Sequence, residues 1–308
     1  MKKFYFLALF AFMMFIFQSG NGQENRTFTV NGVSFEMIFV EGGTFVMGCT
    51  SGQSNCSPAH EVTLNDFFMG KFQVTQQLWK AIMGSDVRQQ WLAGAIADRE
   101  WMNGNMGPYA RAITATFDIS GWYSAEDFSK VIINDVGNNF PMFFINHSEC
   151  ELFCYRMNQL LSAQLPEDYR FVIPTEAQWE YAARGGKKSK GYTFSGSNNI
   201  EEVAWFDAKY YVTSYEVGKK TKNELGIYDM SGNVWEWCRD WFDEEFYTYS
   251  PSFNPNGPIY GDYRVLRGGS WSSVKEVCTV SWRYKDLPQI RANNYGLRLA
   301  LVNVKNIR

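Results

Sequence analysis

Residues 226–242, GIYDMSGNVWEWCRDWF, place three tryptophans (Trp235, Trp237, Trp241), a Ser-Gly-Asn turn and Cys238 within seventeen positions. Three readings compete for such a stretch: an enzyme site, a ligand surface, or a core built from rings. Asn233 is a turn residue whose amide can satisfy backbone groups at its own turn. Trp235 and Trp237 bring large apolar rings to either side of Glu236, and a charge held between rings needs a partner if it is buried. Arg267 and Arg298 are the candidate partners.

The surrounding composition agrees with a core of rings. Aromatic residues make up 17% of the 308-residue chain, and helix-favouring charged runs are scarce. The formal net charge is -3 with both signs interspersed, which argues against a nucleic-acid or anionic-membrane footprint. The first residues, MKKFYFLALFAFMMFIFQSGNGQ, have two lysines, an apolar run from Phe4 to Phe17 and then small and polar residues. That run is shorter than the ~20 residues of a spanning helix. The pattern is that of a secretory signal peptide over residues 1–22, cleaved near Gly22. No cysteine stands at the cleavage site, so no lipid anchor is expected. The expected mature protein, residues 23–308, is exported: periplasmic, cell-surface or secreted. About 285 residues suit one large domain or two small ones, and no linker divides them.

Several local elements are legible. FTVNGVSFEMIFV reads as two strands joined at Asn31-Gly32, a strong hairpin signal. A second turn follows at Gly42-Gly43, and HEVTLNDFFMGKFQVT reads as further strand. VTQQLWKAIMG is a short helix capped by Thr75 and ended at Gly84, with Leu78, Trp79 and Ile82 on one face. HSECELFCYRMNQLL puts Cys150, Phe153, Cys154, Met157 and Leu161 at helical spacing. In FVIPTEAQWEYAARGG a strand ends at Pro174, Thr175 and Gln178 form a capping box, and Gly185 follows the helix. Residues 85–138 show no sustained period and read as an insertion. Six cysteines in an exported chain make disulfides expected. Cys49 and Cys56 bracket a flexible loop that a local bridge can close; zinc is the rival, but the spacing is not C-x2-C.

FVIPTEAQWEYAARGG (171–186), ELGIYDMSGNVWEWCRDWF (224–242), YRVLRGGSW (263–271) and NYGLRLAL (294–301) stand in that order. Together they resemble the formylglycine-generating enzyme, or sulfatase-modifying factor, family. EMIFVEGGTFVMG and VTLNDFFMGKFQVTQQLW resemble the start of the same domain. The resemblance implies an α+β fold, the formylglycine-generating-enzyme variant of the C-type-lectin fold, loop-rich with few short helices and strands. In that fold Trp235, Trp237, Glu236 and Arg298 are expected to be structural.

The resemblance also implies chemistry that the residues can be held against. The family's oxidases hold Cu(I) by two thiolates and use oxygen to convert a substrate cysteine to formylglycine. Those thiolates follow the GGS stretch at positions that are Ser273 and Cys278 here, with Ser270 as the reference serine. Soft Cu(I) favours thiolates, and a hydroxyl is a hard, weak ligand, so copper is not expected. The histidine after the first thiolate is Val274. Iron-dependent relatives use a histidine cluster, whereas this chain has only His60 and His147. Some members bind calcium through oxygen ligands; Asn233 and Asp207 are the corresponding candidates, against the plainer reading of a turn asparagine. Ser270 lacks the His and Asp partners of a hydrolase, and RGGSW lacks the phosphate-loop frame.

SWSSVKEVCTVSWRYKDLPQIRANNYGLRLAL (270–301) resembles the ligand-facing end of such lectin-fold proteins, including variable proteins diversified by retroelements. Trp271, Ser272, Trp282, Tyr284, Asn294 and Tyr295 mix rigid rings with adaptable polar groups, as recognition surfaces do. The expected function is therefore a non-catalytic binding or scaffold module for a protein or glycan ligand. The alternatives are a cysteine-directed oxidase or related oxygen-using enzyme, and a retroelement-diversified binder. A disulfide between Cys238 and Cys278 is also expected, because the tryptophan-rich turn and the RGGSW turn should pack together; closing that loop would add about 3 to 4 kcal/mol.

Overall fold

The computed structural model describes residues 24–50, 54–93, 133, 135–207 and 213–306. The expected signal peptide and most of the 85–138 segment lie outside the described residues. Among those described, no helix is long and apolar enough to cross a membrane.

The chain opens with the expected hairpin: β1 (Arg26–Val30) and β2 (Val33–Val40) pair antiparallel. Asn31 and Gly32 both take positive φ, 48° and 79°, the conformation that a two-residue hairpin turn requires. Next come β3 (Gly43–Met47), β4 (His60–Leu64) and β5 (Phe67–Gly70). Helix α1 (Gln76–Met83) is capped by Thr75 Oγ1 accepting from Leu78 N–H at 3.2 Å and ends at Gly84 in the left-handed region. Helix α2 (His147–Leu160) buries Cys150, Phe153, Cys154 and Met157, the residues its spacing singled out. After β6 (Tyr169–Val172), α3 (Glu176–Ala183) starts in the Thr175–Gln178 capping box. The short α4 (Ile200–Val203) leads to β7 (Trp235–Trp241), which begins directly after the Ser-Gly-Asn turn. Then come α5 (Phe246–Tyr249), β8 (Arg264–Arg267), β9 (Arg283–Asp286), β10 (Tyr295–Gly296) and β11 (Ala300–Asn303).

Among the described residues these strands form three sheets. Five strands order as β1-β2-β5-β11-β6, four as β10-β7-β8-β9, and β3 pairs with β4. Strand β11 returns from the C-terminal end to lie between β5 and β6, so it ties the last motif to the first strands. Both faces of β7 are covered. Trp235 and Trp237 pack in one apolar cluster with Phe153, Met142 and Leu297, while Cys238 and Phe242 pack in another with Trp179 and Tyr181. Trp237 is fully buried, and its indole N–H reaches the Ile145 carbonyl at 3.1 Å. The ring stretch is thus core, as the turn-and-ring reading expected.

Burial on both faces leaves the charges of these strands needing partners inside. Glu236 accepts from Arg298 Nη2 (2.8 Å), Arg298 Nε (2.9 Å), Trp179 Nε1 (2.7 Å) and Gln73 Nε2 (3.0 Å). Arg298 was one of two expected partners. The other, Arg267, sits opposite Glu236 in the ladder but sends its guanidinium to Glu180 of α3. Arg283 completes the layer with a two-pronged bond to Glu176 at 2.7 and 2.9 Å. All three arginines are fully buried. Losing one partner of such a pair costs about 3 to 5 kcal/mol, since the other charge is left dry and unpaired.

Candidate functional site

The Ser-Gly-Asn turn and the RGGSW turn pack against each other, as expected, but not through sulfur. Gly232 sits at φ 80°, where a Cβ would strike the Trp205 carbonyl at 2.3 Å. Its N–H donates to the Gly268 carbonyl at 2.8 Å, and Trp271 N–H donates to the Asn233 carbonyl at 2.8 Å. Ser231 Oγ donates to the Cys278 carbonyl at 2.8 Å. Cys238 and Cys278 are nonetheless both free thiols, which corrects the expected pairing. Cys238 belongs to the cluster beneath β7, while Cys278 lies in a separate cluster with Phe194, Ile200, Val203 and Ala204. Backbone bonds, not a bridge, join the two turns. The bridge that is present is the local one, Cys49 to Cys56.

Ser270, Ser272 and Ser273 form one hydroxyl cluster. Ser270 Oγ lies 3.1 Å from both Ser272 Oγ and Ser273 Oγ. Asn294 Nδ2 donates to Ser270 Oγ and Ser272 Oγ at 3.1 Å each. Ser273 Oγ also accepts the Ser270 N–H at 3.0 Å, so it closes the turn itself. The Ser273 carbonyl accepts the Asp207 N–H at 2.8 Å. Exposure divides the predicted surface. Ser272 and Tyr284 are exposed; Ser273, Trp282 and Asn294 are half-buried; Ser270, Trp271 and Tyr295 are buried. Tyr295 packs edge-on against Trp237, and its hydroxyl donates to Asp286 at 2.8 Å. Tyr284 stacks on Trp235, with ring centroids 5.1 Å apart, so the core tryptophan braces the exposed ring.

The thiol that remains near this cluster is sealed. Gly269, at φ 74°, has no Cβ, and one placed there would meet Cys278 Sγ at 2.5 Å. Burial pushes the Cys278 thiol up to about 12, against a lowering by the Ser270 backbone N–H. It is therefore protonated near neutral pH. One hydroxyl committed to its turn and one buried protonated thiol do not make a soft two-thiolate site.

Asn233 is fully buried and takes φ 65°. Its Oδ1 accepts from Tyr215 N–H at 2.9 Å, and its Nδ2 donates to Gln73 Oε1 and the Tyr215 carbonyl at 3.0 and 3.1 Å. Asn233 is a turn residue, as read from the sequence, but its amide serves distant Tyr215 and Gln73 rather than backbone groups of its own turn. Asp207 follows two residues after Trp205, whose carbonyl accepts the Asn233 N–H at 2.9 Å. Among the described residues no group of three or more His, Cys, Asp or Glu is placed to hold a metal. His147 is buried, and its Nε2 lies 3.1 Å from the Cys238 carbonyl; burial lowers its pKa to about 3. His60 is elsewhere, on β4 beside Tyr247.

Few short helices, curled sheets and a serine turn braced by a buried tryptophan strand define the α+β fold that the motifs implied, the formylglycine-generating-enzyme variant. The chain belongs to the sulfatase-modifying factor enzyme 1-like domain family, which matches residues 24–302. It is 30% identical over 294 residues to the chaperone protein LppX of Paenibacillus barcinonensis, covering 87% of this chain and 89% of that protein. It is 35% identical over 144 residues to the formylglycine-generating enzyme of Streptomyces coelicolor, covering 42% of this chain and 46% of the enzyme. The match to the serine/threonine-protein kinase Pkn1 of Chlamydia caviae, 30% identical, takes in 86% of this chain but only 38% of the kinase. Among solved structures, Treponema denticola variable protein 1 is similar at a TM-score of 0.69 and 26% identity, covering 91% of this chain and 99% of that one.

Proposed function

We propose that this protein is a non-catalytic binding module that presents Ser272, Ser273, Trp282, Tyr284 and Asn294 to a protein or glycan ligand. The observation that carries the reading is the serine turn. Where the family's oxidases are expected to hold copper, Ser273 spends its oxygen on the Ser270 N–H and Cys278 is buried and protonated. Hydroxyls and an amide in a mutually bonded cluster, beside a braced exposed tyrosine, are the makings of a recognition surface rather than of a soft-metal site. We take the module to be exported; the Cys49–Cys56 bridge supports an oxidising compartment. Calcium at Asn233 and Asp207 belongs to the same proposal only if a cation displaces the Gln73 and Tyr215 contacts.

Two arms of one experiment test it. Cu(I) titration of the reduced protein against a competing chelator should leave the chelator loaded, and tight one-to-one transfer would contradict the proposal. Retention of envelope components should be lost together in Ser272→Arg and Tyr284→Ala, and equal retention by both would move the ligand elsewhere. A second reading, a diversified C-terminal face, is supported by the likeness to Treponema denticola variable protein 1. Sequencing this gene across a population tests it: substitutions should crowd at exposed positions of 270–295, and a uniform segment overturns it.

A further inference from the structure

We propose that a cavity apart from the serine cluster takes the hydrophobic residue of an extended peptide through a single rung of β pairing. The cavity has a volume of about 450 Å3 and lies between β2 and the start of α1. One wall is Val33 to Met37, five consecutive residues of β2. Successive strand residues face opposite sides of a sheet, so a wall of five in a row is the strand's edge.

That edge is open. Over Val33–Met37 strand β2 pairs with β1, but on its other side pairing with β5 stops at Met37 opposite Gly70. One further bond follows, Lys71 N–H to the Glu36 carbonyl at 3.0 Å. The N–H and C=O of one residue in an antiparallel strand point the same way, and the direction alternates. Phe39 N–H points toward the β1 side, where it reaches Asn25 Oδ1 at 2.9 Å, while the Glu36 carbonyl points toward β5. Ser34 therefore aims its backbone N–H and C=O into the cavity. The close Thr29–Ser34 hydroxyl contact at 2.8 Å agrees, since residues facing each other without backbone bonds sit closest. Ser34 is exposed.

The remaining walls set the chemistry of the guest. Phe72, Val74, Leu78 and Leu299 supply apolar surface, beside the uncharged polar side chains of Gln73, Thr75, Gln77 and Asn139. Glu36, the carboxylate at the rim, is already paired with Lys71 at 2.8 Å, so the cavity favours a neutral guest. Asn31 Nδ2 to the Ala81 carbonyl (2.7 Å) closes one end, and the Lys71–Glu36 bond closes the other. Between them Ser34 is the one β2 residue whose backbone faces this side, so a single rung pairs rather than a full added strand. The guest is thus a peptide unit whose own N–H and C=O meet Ser34 and whose aliphatic or aromatic side chain fills the apolar space, the smallest form of strand addition.

The test titrates N-acetyl-leucine N-methylamide into the 15N-labelled full chain. Saturable shifts at the Ser34 and Glu36 amides are expected, with a Kd on the order of 1 mM for so small a ligand. The analogue methylated on the leucine nitrogen has lost the donor and should bind at least ~10-fold more weakly. Ser34→Pro removes the N–H that faces the cavity, along with the hydroxyl against Thr29 and the freedom of φ, and should abolish the shift at the Glu36 amide; if that variant does not fold, the methylated analogue tests the same hydrogen bond from the ligand side. Absence of saturable shifts at these amides overturns the proposal. So does equal affinity for the methylated analogue, which would make the cavity a plain apolar pocket.

Discussion

Glu236 lies within one of the family's marker motifs and Ser273 just after another, yet their surroundings differ in kind. Glu236 is dry, and its carboxylate accepts from Arg298, Trp179 and Gln73. The serine turn is bonded within itself and, through Ser272, opens to solvent. The motif glutamate and arginines are what hold β7, β8, α3 and β11 together. The residues after RGGS are supported by that layer without being fixed by it. A family signature of this sort therefore marks a buried ionic scaffold, and its presence says little about chemistry on the turn above.

If that contrast is right, the largest losses come from the scaffold. Arg298→Met should destabilise by about 3 to 5 kcal/mol in urea unfolding, because Glu236 is left buried without its cation. Adding Glu236→Gln should recover part of that loss; a double variant as unstable as the single one would assign the cost to lost packing. Trp237→Ala should cost about 3 to 5 kcal/mol through its cavity. Trp235→Ala, on the side braced by exposed Tyr284, should cost less, and equal losses would place both rings equally deep.

A third consequence concerns pH. Burial, and after it the charge of nearby Glu176, raise Asp240 to about 7. Its carboxyl accepts the Glu176 N–H at 2.9 Å at the start of α3. Asparagine keeps an acceptor there but cannot ionise. A folded-state pKa above the unfolded value of about 3.9 means that the unfolded chain loses its proton first. Asp240's contribution is thus fully present below pH 4 and fades as the pH climbs to about 7. His147 acts in the opposite sense between about 3 and 6.5, so the clean readout is a difference between variants. The stability of wild type relative to Asp240→Asn should fall between pH 4 and 7 and then level; a flat difference would put Asp240 in the ionised state throughout.

The smallest effect belongs to the turn. Ser272→Ala removes an exposed hydroxyl and should change stability by no more than about 0.5 kcal/mol. A loss several times larger would make Ser272 part of the scaffold and erase the contrast.

How much of this was legible follows the range of the interactions. Asn31-Gly32, the Thr75 cap, the Thr175–Gln178 box and the apolar face of α2 are local signals, and each appears where the spacing put it. The Asn146–Glu149 capping box of α2 is a local signal of the same kind that the expectations did not include. Glu176 and Glu180 give no local sign that both are buried; in EAQWEYAA they resemble a solvated helix face. Only β8 and β9, about a hundred residues later, supply Arg267 and Arg283. The Cys238–Cys278 expectation failed for a related reason: two turns can pack while their thiols belong to different clusters. That Ser273 closes its own turn depends on backbone geometry that no spacing reveals.

In the proposed reading the labour is divided: the ionic layer under the serine turn serves folding, and the turn is proposed to perform no oxidation. The most direct measurement is mass spectrometry of a cysteine-containing sulfatase peptide incubated with the unmodified protein, copper and oxygen. The peptide is expected to keep its sulfur. Formylglycine produced by the wild-type chain, at a rate lost in Cys278→Ser, would contradict that division.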